Sequence, residues 1–361
     1  MCSTSTGNKN TQDKIDDGIY PFYVRSQTVE RINSWTFDGE AILTAGDGVG
    51  VGKVFHHTYG KIGVHQRVYI LSNFKCDANY LFHFFSSNFY NRVKRMSAKN
   101  SVDSVRKEMI TEMPLYLPSE QEQTKIGVLL SLLDERIATQ NKIIDKLQSL
   151  IKGMEDNLLD NPLWEKTYLR SFMQFFPTNS LSWEQLSYKE GAIRNLHYGL
   201  IHGFQTHGIN SASLPMIKNE AIPKQYTLCQ VGDVAFADAS EDTGEIAKSV
   251  EFVDTIEGDT ICGLHTIHGR DIKNRTVVGF KGFAFNSRYF HNQIKRLAQG
   301  TKVFSITANN LSSCYVYLPD FDTQKAIVKL LKAYEEKLLV SKRLLEQYEK
   351  QKQYLLRQMF I

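Results

Sequence analysis

Two stretches of the chain carry apolar side chains at alternating spacings of four and three residues. One begins at Ile126 and the other at Ile327, and each continues for about four heptads. The positions between are mostly polar, and so narrow an apolar stripe favours a partner helix over a broad core. The predicted seam consists of Ile126, Leu130, Leu133, Ile137, Gln140, Ile144, Leu147 and Ile151 in the first stretch, and of Ile327, Leu331, Tyr334, Leu338, Ser341, Leu345, Tyr348 and Leu355 in the second.

The two helical stretches are copies of one another. LYLPSEQEQTKIGVLL, which starts at Leu115, aligns without a gap with VYLPDFDTQKAIVKLL, which starts at Val316, at an offset of 201. Gln123 thereby matches Gln324. The similarity continues upstream, where GVH at 63–65 resembles GLH at 263–265. A repeat at nearly constant offset predicts a tandem duplication in which a globular unit precedes each long helix.

The equivalent polar positions Gln140 and Ser341 interrupt both apolar seams. A polar layer of this kind can fix the register of a coiled coil. We predict an antiparallel pair in which Leu133 lies opposite Tyr348, with the globular units at the two ends of a rod roughly 50 Å long. The alternative is that each helix packs only on its own domain.

The segments outside the helices are rich in β-branched and aromatic residues, which favour strands. The predicted fold class is α+β, with two β-rich domains joined by two long helices in a pseudo-two-fold repeat. The expected boundaries are 1–117, 118–160, 161–318 and 319–361. WEKTYLRSFMQFF at 164–176 has no counterpart in the shorter first unit, so we expect either a missing N-terminal piece or a variant with a trimmed first domain.

Composition adds few constraints. Among 361 residues, 42% are hydrophobic and 23% charged, with a net charge of +4, which permits a nucleic-acid partner without arguing for one. The five cysteines are scattered and form no C-x-x-C pair, which favours reduced thiols in a cytosol. The start MCSTSTGNKN is unlike a signal peptide, and no apolar run reaches the roughly 18 residues of a membrane span. We expect a cytoplasmic protein.

GDGVGVGK at 46–53 resembles a phosphate-binding loop in composition but not in pattern. A P-loop that ended at Lys53 would need glycine at position 47 and serine or threonine at 54, where the chain has Asp47 and Val54. The strand-like sequence KVFHHTYGKIGVHQRVYIL follows in place of a helix. We predict a glycine-rich turn between strands, serving either the turn alone or close contact with a DNA phosphate, with Lys53 as a point charge.

Basic residues gather on two predicted helices at 80–96 and 287–299 and in the segments that follow them. Aromatic and hydrogen-bonding side chains lie among them, as expected where phosphates are held and base edges are read. A solvated helix face has a similar composition, so the repetition of the pattern in both units is what favours a nucleic-acid partner.

Neither a catalytic set nor a metal site is predicted. Cys262, His265 and His268 have the spacing of metal ligands, but no second pair lies nearby in the sequence. His65, the counterpart of His265, has no cysteine beside it. We therefore expect a chain without a metal and without catalytic residues.

With these features the chain resembles one known family, the specificity subunits of type I restriction-modification systems. Family helices open with a pattern similar to LPSEQEQTKIGVLLSLLDERI and LPDFDTQKAIVKLLKAYEEKL. YPFYVRS at 20–26, FDGEAILTAGDGVGVGKVF at 37–55 and IRNLHYGLIHG at 193–203 look like segments of the family's recognition domains, with Leu200 where an acidic residue is common. The resemblance covers essentially the whole chain.

The resemblance implies a non-catalytic reader of DNA sequence. Each domain would recognise half of a split target, and the coiled coil would set the gap. Two methyltransferase subunits and restriction subunits would be partners, carrying S-adenosylmethionine, ATP and Mg. The alternative is a coiled-coil scaffold with two protein-binding lobes. The candidate DNA-binding residues are Arg25, Gln27, Lys53, His65, Arg67, Lys94, Arg95, Lys99, Arg106, Lys107, His197, Tyr198, His202, Lys218, His265, Arg270, Lys295, Arg296 and Lys302.

Overall fold

The computed structural model describes residues 1–97, 104–203, 209, 211–254, 256 and 258–360. The chain divides into two compact units, each of which includes part of both long helices. Unit 1 contains Met1–Lys142 and Lys342–Ile361, and unit 2 contains Ile143–Ser341. Among the described residues, no helix combines the length and the apolar character that crossing a membrane requires.

Unit 1 is built on one six-stranded sheet with the strand order β1-β6-β4-β5-β2-β3. The β2–β5 pair is parallel and the other neighbours are antiparallel. Two shorter helices, α1 and α2, follow the sheet, and the long helix α3 comes next. The elements are β1 (Ser3–Thr6), β2 (Tyr20–Tyr23), β3 (Val29–Ile32), β4 (Phe37–Ala45), β5 (Phe55–Val64), β6 (Val68–Ser72), α1 (Ala78–Met96), α2 (Lys107–Thr111) and α3 (Glu120–Leu159).

The sheet of unit 1 buries apolar side chains on both faces, because successive strand residues point to opposite sides. On β4, Ile42 packs in one cluster with Phe85 and Phe89 of α1. Its neighbour Leu43 packs in a second cluster with Val64 of β5. The sequence at 80–96 predicted helix α1, and this prediction is confirmed.

Unit 2 contains two four-stranded sheets, with the orders β15-β10-β11-β9 and β14-β12-β16-β8, and two additional strand pairs, β13–β17 and β18–β7. Its helix α6 confirms the helix predicted at 287–299. The elements are β7 (Glu165–Tyr168), β8 (Met173–Phe176), β9 (Leu186–Ser187), β10 (Arg194–Leu196), α4 (Tyr198–Ile201), β11 (Met216–Ile217), β12 (Val234–Ala237), β13 (Ala239–Ser240), β14 (Ser249–Glu251), β15 (Thr260–Cys262), β16 (Thr266–Asp271), α5 (Phe280–Ala284), α6 (Arg288–Leu297), β17 (Phe304–Ser305), α7 (Ala308–Ser313), β18 (Tyr315–Leu318) and α8 (Phe321–Met359).

The duplication is visible in the backbone as well as in the sequence. In unit 1 β2 runs parallel to β5, and in unit 2 β10 runs parallel to β15. The matched glycines lie at these pairs, and neither has room for a side chain. A Cβ at Gly63 would lie 2.6 Å from Cγ2 of Ile32, and one at Gly263 would lie 1.9 Å from Oδ1 of Asn195. Close packing at the parallel pair therefore explains why glycine occurs in both copies.

The two long helices bury the side chains that the four-three alternation predicted. Every seam position is buried or half-buried, and most positions between them are exposed. In unit 1 the final turns of α8 run antiparallel to the first half of α3, since Lys352 forms an ion pair with Asp134 and Phe360 contacts Tyr80 beside the start of α3. In unit 2, Leu159 packs with Ile327 in one core. Within each unit the helix segments are antiparallel, as predicted.

A buried glutamine ties the start of each long helix to the domain beside it. The Gln123 carboxamide accepts a hydrogen bond from the Asp77 backbone N–H at 3.1 Å and donates one to the Pro118 carbonyl at 2.9 Å. Gln324 repeats the arrangement: it accepts from the Val277 N–H at 2.9 Å and donates to the Pro319 carbonyl at 3.0 Å. The glutamine in each LP-containing motif is therefore a structural anchor.

We expect Gln123→Ala to lower the free energy of unfolding by about 2 kcal/mol, because it leaves an N–H and a carbonyl of two half-buried residues without their partner. Gln324→Ala should cost at least as much, since that side chain also donates to the Arg275 carbonyl. Urea unfolding followed by circular dichroism measures both. Gln121→Ala, at an exposed position of the same helical turn, is the control and should change stability by less than about 0.5 kcal/mol. Equal losses in all three variants would contradict the anchor.

The half-buried carboxylate of Glu155 is expected to make the stability of unit 2 depend on pH. Burial, Glu335 and Asp156 together raise the pKa of Glu155 to about 7. Because the pKa of Glu155 is higher in the folded chain than in the unfolded chain, the folded chain holds this proton more tightly. The resulting stabilisation of the folded chain is complete below the unfolded pKa and is lost as the pH rises through 7. The cavity that Glu155 lines is also bounded by the charged or titratable groups Lys152, Asp156, Glu245, Lys248, Arg288, His291, Lys295 and Glu335.

We expect Glu155→Gln to stabilise the chain at pH 8 by about 2 kcal/mol and to flatten its stability profile between pH 5 and 8. Thermal unfolding across this pH range measures the effect. Glu135→Gln, an exposed position on the same helix, should leave the profile unchanged. If the stability of the wild-type chain rises between pH 5 and 8, and Glu155→Gln gives the same profile, another titrating group dominates.

Candidate nucleic-acid interface

The glycine-rich stretch at 46–53 is a turn between β4 and β5, which confirms the predicted turn. Gly48 and Gly52 have φ values of 77° and 65°, in the left-handed region that favours glycine. A Cβ at Gly50 would lie 2.4 Å from the carbonyl oxygen of Arg25. The glycines are therefore explained by the turn itself and by its close approach to the chain that carries Arg25.

Two exposed arginines converge on one carboxylate of this turn. Arg25 Nη1 lies 3.0 Å from Asp47 Oδ1, and Arg67 Nε lies 3.6 Å from Asp47 Oδ2. Nearby, Lys53 Nζ lies over the Tyr90 ring, 4.9 Å from its centroid. Since the Arg67 side chain is 66% exposed, a ligand can reach its guanidinium. The turn thus brings together three of the predicted side chains, Arg25, Lys53 and Arg67.

The basic end of α1 lies close to the same turn. The Val105 N–H donates to the Gly46 carbonyl at 2.7 Å, and a Cβ at Gly52 would touch the Tyr90 ring at 3.3 Å. These contacts bring the turn, α1 and the segment from 104 onward to one region. Its exposed cations on α1 and in this segment are Lys94, Arg95, Arg106 and Lys107. Gln27 is also exposed, in the loop after β2, whereas Lys99 lies outside the described residues.

Unit 2 presents a series of aromatic and imidazole rings. Trp183 stacks on His197 with ring centroids 4.4 Å apart, His197 contacts Tyr198 at 4.7 Å, and Tyr198 contacts His265 at 5.3 Å. His265 Nδ1 lies 3.1 Å from Asp238 Oδ1, and half of the His265 side chain is exposed. Trp183 is 46% exposed and His197 is buried, so the ring series reaches the surface at its two ends, Trp183 and His265.

The remaining predicted residues of unit 2 are divided among several environments. His202 Nδ1 lies 2.9 Å from Glu245 Oε2, and Lys218 donates to the Glu184 carbonyl at 2.7 Å. Lys295 and Arg296 are exposed in the last turn of α6, and Lys302 is exposed just after it. The structure does not gather these cations into a cluster comparable to the one in unit 1.

Three predicted residues make contacts within their own domains. His65 and His197 are 4% and 2% exposed, and the His65 Nδ1 accepts a hydrogen bond from the Arg67 N–H at 3.0 Å. Arg270 donates from Nε and Nη2 to the buried carboxylate of Asp233 at 2.8 and 2.7 Å. The structure thus places His65 and His197 in the interior and pairs Arg270, whose side chain is 21% exposed, with a buried carboxylate.

Sequence reasoning missed the carboxylates that orient the exposed side chains. Asp47 follows β4 and Asp238 follows β12, and these strands pair with β6 and β16 in the same antiparallel way. The two carboxylates thus occupy similar places in the duplicated plan. A search of the sequence for cations passes over acidic residues. Only the pairing of the strands shows that these two carboxylates are equivalent.

Comparisons with known proteins find a family model and several specificity subunits that resemble this chain. Residues 2–149 match the family model of the type I restriction modification DNA specificity domain. The chain is 27% identical to the EcoDI specificity subunit of an Escherichia coli type I restriction enzyme over 159 residues, which cover 44% of this chain and 35% of that subunit. It is 25% identical to the MjaVIII specificity subunit of Methanocaldococcus jannaschii over 370 residues, which cover 94% and 85% of the two chains.

A crystal structure of the S subunit of a type I restriction-modification system from M. genitalium superposes with a TM-score of 0.66 at 14% identity, covering 100% of this chain and 94% of that one. At this identity the superposition shows a common fold. The chain's match to the E. coli subunit spans about a third of that subunit's length, since it covers 35% of it.

We expect Gly50→Ala to destabilise the chain by about 2 kcal/mol or more, because its Cβ would lie 2.4 Å from the backbone carbonyl oxygen of Arg25. Thermal unfolding measures the loss. Gly153→Ala is the matched control: its Cβ meets nothing within 4 Å on a helix, so this change should stabilise by up to about 1 kcal/mol. A neutral Gly50→Ala would show that the turn tolerates a side chain there.

Proposed function

Because residues 2–149 match the type I restriction modification DNA specificity domain and the similar chains are specificity subunits, we propose that this chain belongs to the type I specificity subunits and is the DNA-recognition subunit of such a complex. The observation that carries the proposal is the match of residues 2–149 to the DNA specificity domain. In this proposal the chain is not itself an enzyme. It places a partner methyltransferase against an adenine in each half of a bipartite target.

In unit 1, we assign base reading to the arginines at the glycine-rich turn. An arginine presents two parallel N–H donors to O6 and N7 of guanine in the major groove. Asp47 accepts from Arg25 and lies 3.6 Å from Arg67 Nε, so both guanidinium groups are held near the turn before DNA arrives. Lys53 and the exposed cations of α1 would contact phosphates, which position a protein on the duplex without reading its sequence.

In unit 2, the edge formed by Trp183, Tyr198 and His265 is the proposed recognition surface. Its ring planes and the His265 imidazole provide apolar contact and hydrogen bonds, and Lys295, Arg296 and Lys302 supply charge for phosphates. The mixture differs from the arginine pair of unit 1. The two halves of the target should accordingly differ in sequence.

The long helices would set the distance between the half-sites and hold the partner subunits. Helix α3 has 40 residues, or about 60 Å at 1.5 Å per residue. That exceeds one turn of B-DNA, roughly 34 Å, so several unread base pairs should separate the half-sites. The proposed partners are two methyltransferase subunits, clasped by the helices, and restriction subunits. S-adenosylmethionine, ATP and Mg would be bound by those partners, and the methyltransferase would flip the target adenine.

The decisive experiment is co-expression with the proposed modification and restriction subunits, followed by mapping of methylated adenines in the host DNA. We expect one bipartite motif, methylated on both strands and lost when this chain is deleted. A chain that neither binds the methyltransferase nor changes methylation would be better described as a coiled-coil scaffold with two protein-binding lobes.

We expect Arg67→Ala to weaken binding of the methyltransferase complex to its mapped motif by about 1–3 kcal/mol and to relax selection at one base of the half-site. Lys53→Ala should weaken binding to all sequences alike and reduce the salt dependence by about one phosphate. Fluorescence anisotropy over a range of salt concentrations measures both effects. Arg343→Ala, on an exposed face of α8, is the control. Equal effects of Arg67→Ala on target and competitor DNA would refute base reading by this residue.

A further inference from the structure

Three metal-binding side chains meet in the interior of unit 2. Ligand atoms of Cys229, Cys262 and His268 all lie within 4.8 Å of one another, and all three residues are buried. Cys262 ends β15 and His268 lies in β16, while the Cys229 N–H donates to the Thr260 carbonyl at 2.8 Å. Pairing of the Cys229 segment with β15 therefore brings Cys229 into the cluster, although it lies 33 residues from Cys262 in the sequence.

The sequence spacing groups Cys262 and His268 with His265, and it predicts no metal because no second pair of ligands lies nearby in the sequence. His265 has the spacing of a ligand, but its ring turns to Asp238, and its backbone is left-handed with φ of 55°. Cys229 takes its place in three dimensions. The distance between the two sulfurs is 3.6 Å, close to the roughly 3.8 Å that separates two thiolates on tetrahedral zinc with bonds of about 2.3 Å.

The imidazole of His268 has the carboxylate partner that metal-binding histidines commonly have. Its Nε2 lies 2.7 Å from Oδ2 of Asp233. Asp233 also accepts from the Arg270 guanidinium and, at 2.8 Å, from the Gln230 N–H. The carboxylate therefore holds the proton on Nε2, which leaves the lone pair of Nδ1 for a metal. Histidines that bind metals commonly donate their second nitrogen to a carboxylate in this way.

The charges of the cluster balance once a divalent cation is present. Two thiolates neutralise one Zn²⁺, and Arg270 neutralises Asp233, so a neutral His268 completes a site with no net charge in the interior. A cavity of about 420 Å³ is lined by Cys262 and His268 together with Thr178, Asn179 and Tyr226. This cavity provides an entry path and room for a water as the fourth ligand.

We propose that Cys229, Cys262 and His268 bind a thiophilic divalent cation, with Zn²⁺ as the expected metal. Asp233 is the positioning residue of the site, acting through His268. The metal would fasten the segment of Cys229 to β15 and β16. Between those two strands lies the turn that carries His265, so the metal would stabilise the proposed recognition edge of unit 2 without touching DNA.

The test uses the full chain, purified under reducing conditions, stripped with a chelator and titrated with ZnCl₂. We expect one Zn²⁺ per chain by native mass spectrometry and a higher melting temperature in the presence of the metal. Co²⁺ added in place of Zn²⁺ should give the near-ultraviolet thiolate-to-cobalt charge-transfer band. Cys229→Ser and Cys262→Ser should abolish both the uptake and the band, whereas Cys314→Ser, which changes a buried cysteine outside the cluster, should retain them.

Asp233→Asn should weaken Zn²⁺ binding about 10–100-fold, as measured by competition with a chromogenic chelator, while leaving the cobalt–thiolate band in place at saturating metal. Absence of uptake by a folded wild-type chain would overturn the proposal, and so would uptake that survives Cys229→Ser. Formation of a Cys229–Cys262 disulfide in mild oxidant without any metal binding would identify the pair as a redox couple instead. None of these results depends on DNA binding, so failure here leaves the proposed function untouched.

Discussion

The placement of both long helices depends on one buried interaction that occurs twice. Gln123 and Gln324 each use a single carboxamide to satisfy a backbone N–H of the domain and a carbonyl just before the helix. Because both groups would otherwise lie partly buried without this partner, the helix cannot slide or rotate against its domain at low cost. The direction in which each helix leaves its domain is thereby fixed by polar groups, while the apolar seam supplies attraction that is less specific.

Close backbone approach is the second constraint, and glycine meets it in different places in the two copies. Gly127 of α3 lies so near the start of α1 that a Cβ would sit 2.8 Å from Oδ1 of Asp77. In unit 2 the long helix carries Val328 at the equivalent position, and the glycine is on the domain side, where a Cβ at Gly279 would lie 3.0 Å from Val328. The duplicated contact has been kept while the residue that makes room for it has changed sides.

Buried charge organises unit 2 more than unit 1. Asp233 joins Arg270 and His268, and Glu251 pairs with Lys281 at 2.9 Å in a fully buried site. Each pair is also held by backbone hydrogen bonds, as at the Gly282 N–H, which donates to Glu251. Such networks tolerate little change in any member. The Asp233 network ties β16, which follows His265, to the segment just before β12.

Periodicity and repetition in the sequence were sufficient to determine the two long helices, their antiparallel direction within each unit, helices α1 and α6, and the turn at 46–53. These features depend on spacing along the chain, which the sequence records directly. Only the tertiary structure decided that His65 and His197 are buried and that Asp47 gathers two arginines. It alone also brought Cys229 to Cys262 and His268. Burial and proximity across a sheet depend on which strands pair, and residues 33 apart carry no local sign that they will meet.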